Sequence, residues 1–213
     1  MSTNSSKKRN DRLTKLTLGA LTAALSYVVF TFLRIDIPIG VSKTSIHLAN
    51  AVVVLGAELI GGLWGGLGGA IGLSISDLFT GYVTSAPKTF LMKLLIGLIA
   101  GAVAHKIFKI SKTEDPHKYF IGALVASIAA LLFNAIFDPI VGYFYKLLIL
   151  GRPAAELTIA YNFLSTGINS VTSVIVSTAL YMALRPALKK AHLLPRIGEE
   201  KEPTAPPSSE TES

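Results

Sequence analysis

IHLANAVVVLGAELIGGLWGGLGGAIGLSISDLF, residues 46–79, is an apolar block 34 residues long. As one helix it would extend about 51 Å, well beyond the roughly 30 Å hydrocarbon core of a bilayer. Gly61-Gly62, followed by Gly65-Gly66, offers a turn. The block is therefore read as two spans, 47–60 and 63–79. Further apolar stretches lie on either side, at 16–33, 88–107, 119–148 and 158–184. Six spans result. Asp138-Pro139 falls inside the long fifth stretch, whose last part is expected to kink or to leave the membrane.

The rest of the composition agrees. Of 213 residues, 51% are hydrophobic and 15% charged, against roughly 25% charged in soluble domains. Six charged residues lie in 1–15, six in 106–118 and ten in 185–213, and Leu157 to Leu184 contains none. This excludes a soluble globular domain, a disordered chain and a nucleic-acid-binding fold. The net charge of +7 reads as membrane topology, because basic residues sit between spans. With six spans and a cytoplasmic N-terminus, the inside segments hold 14 of the 20 Lys and Arg. Fusing the second and third spans would expose 106–118 and the start of the tail outside, against the positive-inside tendency.

The expected fold is thus all-α: a polytopic cell-membrane protein of six transmembrane helices with both termini cytoplasmic. Residues 1–15 form a basic N-terminus, 16–184 the transmembrane domain, and 185–213 a Pro-, Glu- and Ser-rich tail too polar to fold. The basic start resembles the charged region of a signal peptide, but a long apolar core and further spans argue for retention.

Charged groups at the bilayer centre cost about 2.5–3.5 kcal/mol each on insertion scales, so each needs a reason. On this topology His47 and Asn50 lie at the outer end of the second span, and Asp77 at that of the third. Lys88 opens the fourth, with Lys93 deeper. Asn134 and Asp138 share a face of the fifth, as do Asn162 and Asn169 of the sixth. This common depth predicts a pocket open to the outside, under residues 34–45 (RIDIPIGVSKTS) as a cap. Tyr82, Tyr143 and Tyr161 lie near enough to stack on a flat ligand. The plainer readings are interfacial anchoring for His47 and the tyrosines, snorkelling for Lys88, and interhelical hydrogen bonding for the asparagines. Asp77, Lys93 and Asp138 are harder to dismiss, although they could pair with one another. Glu58 is read as an inner-boundary residue.

Small residues form a second pattern. Gly61, Gly65 and Gly69, Gly68 with Gly72, and Gly97 with Gly101 have GxxxG spacing, which suits internal helix packing. Gly19, Ala20, Ala23 and Ala24 form a small strip on the first span, a candidate contact for a partner membrane protein. Chemistry-bearing motifs are lacking. The chain has no cysteine, no GxxxxGK[ST], no HExxH and no Gly-x-Ser-x-Gly, so no catalytic residue, metal site or cofactor is assigned.

Three stretches, 47–82, APKTFLMKLLIGLIAG (86–101) and NAIFDPIVGYFYK (134–146), resemble the substrate-binding S components of energy-coupling factor (ECF) vitamin transporters. The likeness covers about residues 13–190. It is nearest to the hydroxymethylpyrimidine and pyridoxine group, whose relatives include riboflavin proteins. The strip on the first span is similar to the alanine-rich motif by which such subunits meet their coupling protein. The resemblance implies six helices and an external vitamin pocket capped by the first loop. It also implies a module of one membrane coupling protein and two cytosolic ATPases, and toppling in the bilayer to release substrate inside. The expected function is vitamin uptake without catalysis, and the candidate binding residues are His47, Asn50, Asp77, Lys88, Lys93, Asn134, Asp138 and Asn162. The competing reading is a stand-alone secondary transporter driven by protons or sodium, with Asp77, Asp138 and Lys93 as the relay; no repeat between the halves supports it. An intramembrane enzyme ranks last.

Overall fold

The structure is a computed structural model that describes residues 2–39, 42–151, 155–195 and 197. Among these it has six α-helices: α1 (Ser2–Phe32), α2 (Ala49–Ile60), α3 (Gly62–Phe79), α4 (Ala86–Gly101), α5 (Pro116–Phe144) and α6 (Ala155–Lys190). Helices satisfy their own backbone, as a hydrocarbon solvent demands. Four stretches are long and apolar enough to cross a bilayer: Asp11–Phe32, Val83–Ile107, Pro116–Ile149 and Ile159–Lys190. The apolar block is cut where Gly61 takes φ +95°, a conformation that glycine adopts without strain.

Three local outcomes depart from the expectations. The first is a two-stranded antiparallel hairpin, β1 (Arg34–Ile39) with β2 (Ser42–His47), in a chain expected to be all-α. Arg34 pairs with His47 and Ile39 with Ser42. The alternation of polar and apolar residues in RIDIPI and SKTSIH supplies the strand pattern. The second is that α5 continues through Pro139 to Phe144, then closes on a π-helical turn, Tyr145–Ile149.

The third is that α6 passes the boundary expected at 184 and runs to Lys190. Arg185 anchors this extension. It donates to the carbonyls of Ile110 at 2.9 Å and Thr113 at 2.6 Å, and its guanidinium lies 3.9 Å from the centre of the Tyr119 ring. Lys189 adds a surface ion pair to Glu114. Of the expected tail, residue 196 and residues from 198 onward lie outside the described residues.

α2 occupies the centre of the bundle, nearly every residue buried. Glycines let its neighbours close in. Gly65 of α3 rests on the backbone of Gly56 and Ala57, Gly68 on the carbonyl of Gly19, and Gly72 on that of Ala23. Gly97 and Gly101 of α4 meet Gly66 and Gly62 in turn. The strip on α1 therefore divides. Gly19 is buried and Ala23 half-buried against α3, whereas Ala20 and Ala24 face outward with Leu21, Leu25 and Val28.

At about 18 Å, twelve residues of α2 do not cover a bilayer core. The hairpin leads directly into α2, and beneath it the bundle is hollow.

Candidate functional site

The hollow is a cavity of about 130 Å³ bounded by the hairpin and by α1, α3, α4, α5 and α6. Most of the predicted residues meet there: His47, Asp77, Lys88, Lys93, Asp138 and Asn162 line it, together with Tyr82. Asn134 stands behind the wall, fully buried, its Oδ1 3.4 Å from Lys93 Nζ and its Nδ2 3.5 Å from Ser170 Oγ. Asn50 is buried in α2 away from the cavity, and its Oδ1 lacks a partner. Tyr143 and Tyr161 are not in the wall; Tyr161 is half exposed.

The charged groups differ in how far they are engaged. Lys88 Nζ donates to Asp138 Oδ1 at 2.9 Å across α4 and α5. Thr89 Oγ1 donates to Asp77 Oδ2 at 2.5 Å, and Asp77 lines the cavity. Lys93 has only the long contact to Asn134. The wall holds two acids, Asp77 and Asp138, and four lysines, Lys43, Lys88, Lys93 and Lys146, so it is basic on balance.

The hairpin is fastened on two sides. Toward α6, Thr44 and Ser165 hydroxyls lie 2.7 Å apart, the His47 amide donates to Asn169 Oδ1 at 2.9 Å, and Asn169 Nδ2 donates to the Ser45 carbonyl at 2.9 Å. Toward the end of α3, Asp36 is the hub. It accepts from Arg34 Nε at 2.9 Å, Lys43 Nζ at 3.1 Å and the Tyr82 hydroxyl at 3.1 Å. Lys43 also donates to the Thr80 carbonyl at 3.0 Å and stands 4.4 Å over the Tyr82 ring.

Burial alone would raise the Asp36 carboxyl. Hydrogen bonds from Lys43 and Tyr82, with the charge of Arg34, outweigh burial and hold it below its ordinary value of 3.8. A lowered folded-state pKa makes this contribution present above the ordinary value and lost as pH falls through the lowered one. Each partly exposed pair contributes at most about 1 kcal/mol. Spin labels replacing the exposed Ile35 and Phe79 should show a distance distribution that broadens only as pH falls below the ordinary value of 3.8. Asp36→Asn should show the same broadening at neutral pH; an unchanged distribution in that variant would mean the hub does not hold the hairpin.

Sequence reasoning passed over Thr89, Lys43, Ser165 and Thr166, all in the wall. Ser165 and Thr166 were within reach of it: with Asn162 and Asn169 they make a polar stripe at helical spacing. Lys43 was not, since only strand pairing turns it toward Tyr82.

Apolar helices that enclose a cavity lined by both charge signs suit a membrane protein that holds a small polar molecule. The chain is a member of the ECF-type riboflavin transporter S component family, which it matches over residues 10–186. No curated protein and no solved structure matches it. It is thus the substrate-binding subunit of an ECF transporter, a multi-pass protein of the cell membrane and not an enzyme.

Proposed function

We propose that this subunit captures a water-soluble vitamin or vitamin precursor built on one polar aromatic ring, of the pyridoxine or hydroxymethylpyrimidine kind. One observation carries the reading: acids and lysines from α3, α4 and α5 converge with amides of α6 on one small cavity beneath the hairpin. Asp77 suits a ring N–H or an aminopyrimidine edge; Lys93 and the asparagines suit ring hydroxyls. The family's description favours riboflavin as the second reading. That ligand has three fused rings and needs a wider apolar cleft than a single-ring compound does. Titrating purified protein with pyridoxine, hydroxymethylpyrimidine and riboflavin separates the two. Tight binding of riboflavin alone would overturn the single-ring reading, and mass spectrometry of any co-purified molecule gives an independent answer.

In this proposal six crossings place both termini in the cytoplasm and the hairpin outside, with 1–15 and the residues after α6 inside. Energy comes from a module of one membrane coupling protein and two cytosolic ATPases. The core below the cavity supports delivery by reorientation of the whole subunit. Val53, Val54, Ala57, Leu73, Ile96, Ala100, Ala130 and Leu131 are at most 1% exposed, a close-packed core that suits a subunit moving as a whole. The outward-facing Ala20 and Ala24 are the contact for the coupling protein. Ala24→Leu should cut co-purification with that module at least tenfold and leave ligand affinity unchanged; undiminished co-purification would remove the strip from the interface. Uptake into proteoliposomes by this chain alone, driven by a proton or sodium gradient, would favour the secondary-transporter reading over the ATP-driven one.

A further inference from the structure

A second cavity, of about 720 Å³, opens at the end of the bundle opposite the hairpin. α6 ends there on His192, whose φ of +57° turns the chain back, so that Leu194, Pro195 and Ile197 join the wall. Two backbone bonds fix this turn: the Leu193 amide donates to the Leu188 carbonyl at 2.9 Å, and the His192 amide to that of Lys189 at 3.0 Å. Ser111 and Lys112, from the 3-10 turn Ile110–Lys112 ahead of α5, line the same cavity.

Charge in this wall does not balance. Arg185 lines it, is 6% exposed, and spends both hydrogens of Nη2 on the carbonyls of Ile110 and Thr113. Those carbonyls and the Tyr119 ring hold the guanidinium in place without neutralising it. Nε and Nη1 carry its three other hydrogens. Among the described residues no carboxylate pairs with Arg185. Of the two acids in the wall, Glu114 is taken by Lys189, and Glu58 accepts from Ser127 at 2.9 Å with its other oxygen enclosed. Lys112 and His192 are exposed, and Lys112 too has no carboxylate partner among the described residues.

Folding gathers these groups. The two carbonyls that hold Arg185 flank Ser111 and Lys112 in the chain, so guanidinium and ammonium are anchored on one turn. Lys189 lies one helical turn beyond Arg185 on α6. A guanidinium taken from water without a counter-ion is costly, and an anion in the cavity would offset that cost. A phosphate group suits the donors, since its several oxygens accept from guanidinium and ammonium together. Basic pockets between membrane helices take such groups. Leu59, Leu194 and Ile197 supply apolar surface for the organic body that carries it.

We propose that this cavity is a second binding site, one that takes a phosphate group between Arg185 and Lys112. The phosphate belongs either to a soluble organic phosphate or to an anionic phospholipid. The site does not depend on which ring compound occupies the outer cavity.

The test uses the full chain in nanodiscs. In phosphatidylcholine discs, isothermal titration with glycerol 3-phosphate reads the soluble source. In discs of equal phosphatidylcholine and phosphatidylglycerol, native mass spectrometry reads the lipid retained on the protein. Saturable binding of glycerol 3-phosphate would assign the phosphate to a soluble ester, and phosphatidylglycerol retained at least fivefold over phosphatidylcholine would assign it to a lipid. Lys112→Glu and Arg185→Gln should each weaken the titrated affinity at least tenfold or abolish the lipid preference. Lys112 is exposed, so its variant keeps the fold whatever Arg185→Gln does to the end of α6. Lys118→Glu makes the same charge change at the same end of the bundle, outside the cavity wall, and should leave either signal within twofold. No signal from either source, a signal that survives Lys112→Glu, or an equal loss in Lys118→Glu would overturn the proposal.

Discussion

Lys93→Ala should weaken binding of the captured ring compound by about 10- to 100-fold, equivalent to about 1.4–2.8 kcal/mol. That range is what a hydrogen bond to a charged group contributes. Lys93 is buried, and among the described residues its one hydrogen bond, the 3.4 Å approach to Asn134, is too long to satisfy an ammonium. Its remaining donors face the cavity that Asp77 and the Lys88–Asp138 pair enclose. Asp77→Asn is the companion variant. It keeps the shape and can keep the Thr89 contact while removing the charge, so a loss of tenfold or more there assigns the effect to charge. Isothermal titration of both variants decides the matter; affinities within twofold of the unaltered chain would remove both residues from the site.

Gly65→Ala should be the most damaging single-methyl change in the bundle. The added carbon would meet the backbone of Gly56 and Ala57, with no flexible side chain able to yield. Overpacking of that kind costs typically 1–3 kcal/mol, and more where backbone must move. Gly97→Ala meets the backbone of Gly66 and should follow the same course. Gly167 of α6 has nothing within 4 Å, so Gly167→Ala is the neutral control. Thermal unfolding in detergent, read with the yield of monodisperse protein, should rank the two core variants far below the control. Equal stability across all three would mean that α2, α3 and α4 are less closely packed than described.

Much of this was legible in residue order because the bilayer imposes few solutions. Gly61-Gly62 marks the break between α2 and α3, and the depth of Asp77, Lys93 and Asp138 marks the cavity. The GxxxG spacings of α3 and α4 give internal seams. What residue order does not carry is rotational phase. Gly19 and Ala23 sit one residue from Ala20 and Ala24, yet the first pair packs on α3 and the second faces out. Asn50 and Asn134 have the right depth and lie behind or beside the cavity, not in it. The hairpin was foreseen as a cap but not as strands, since twelve polar-apolar residues around Pro38 and Gly40 do not specify pairing. Arg185 looks like the start of a solvated tail until the carbonyls of Ile110 and Thr113 are brought beside it by folding.

The close-packed core beneath the hairpin cavity, where Val53, Val54, Leu73, Ile96 and Leu131 are at most 1% exposed, has a consequence for the cell in the proposed orientation. A subunit waiting without its motor is then expected to leak no protons, which a proton-flux assay on proteoliposomes holding this chain alone would measure. Surplus copies could then accumulate as idle scavengers without discharging the gradients on which other carriers run.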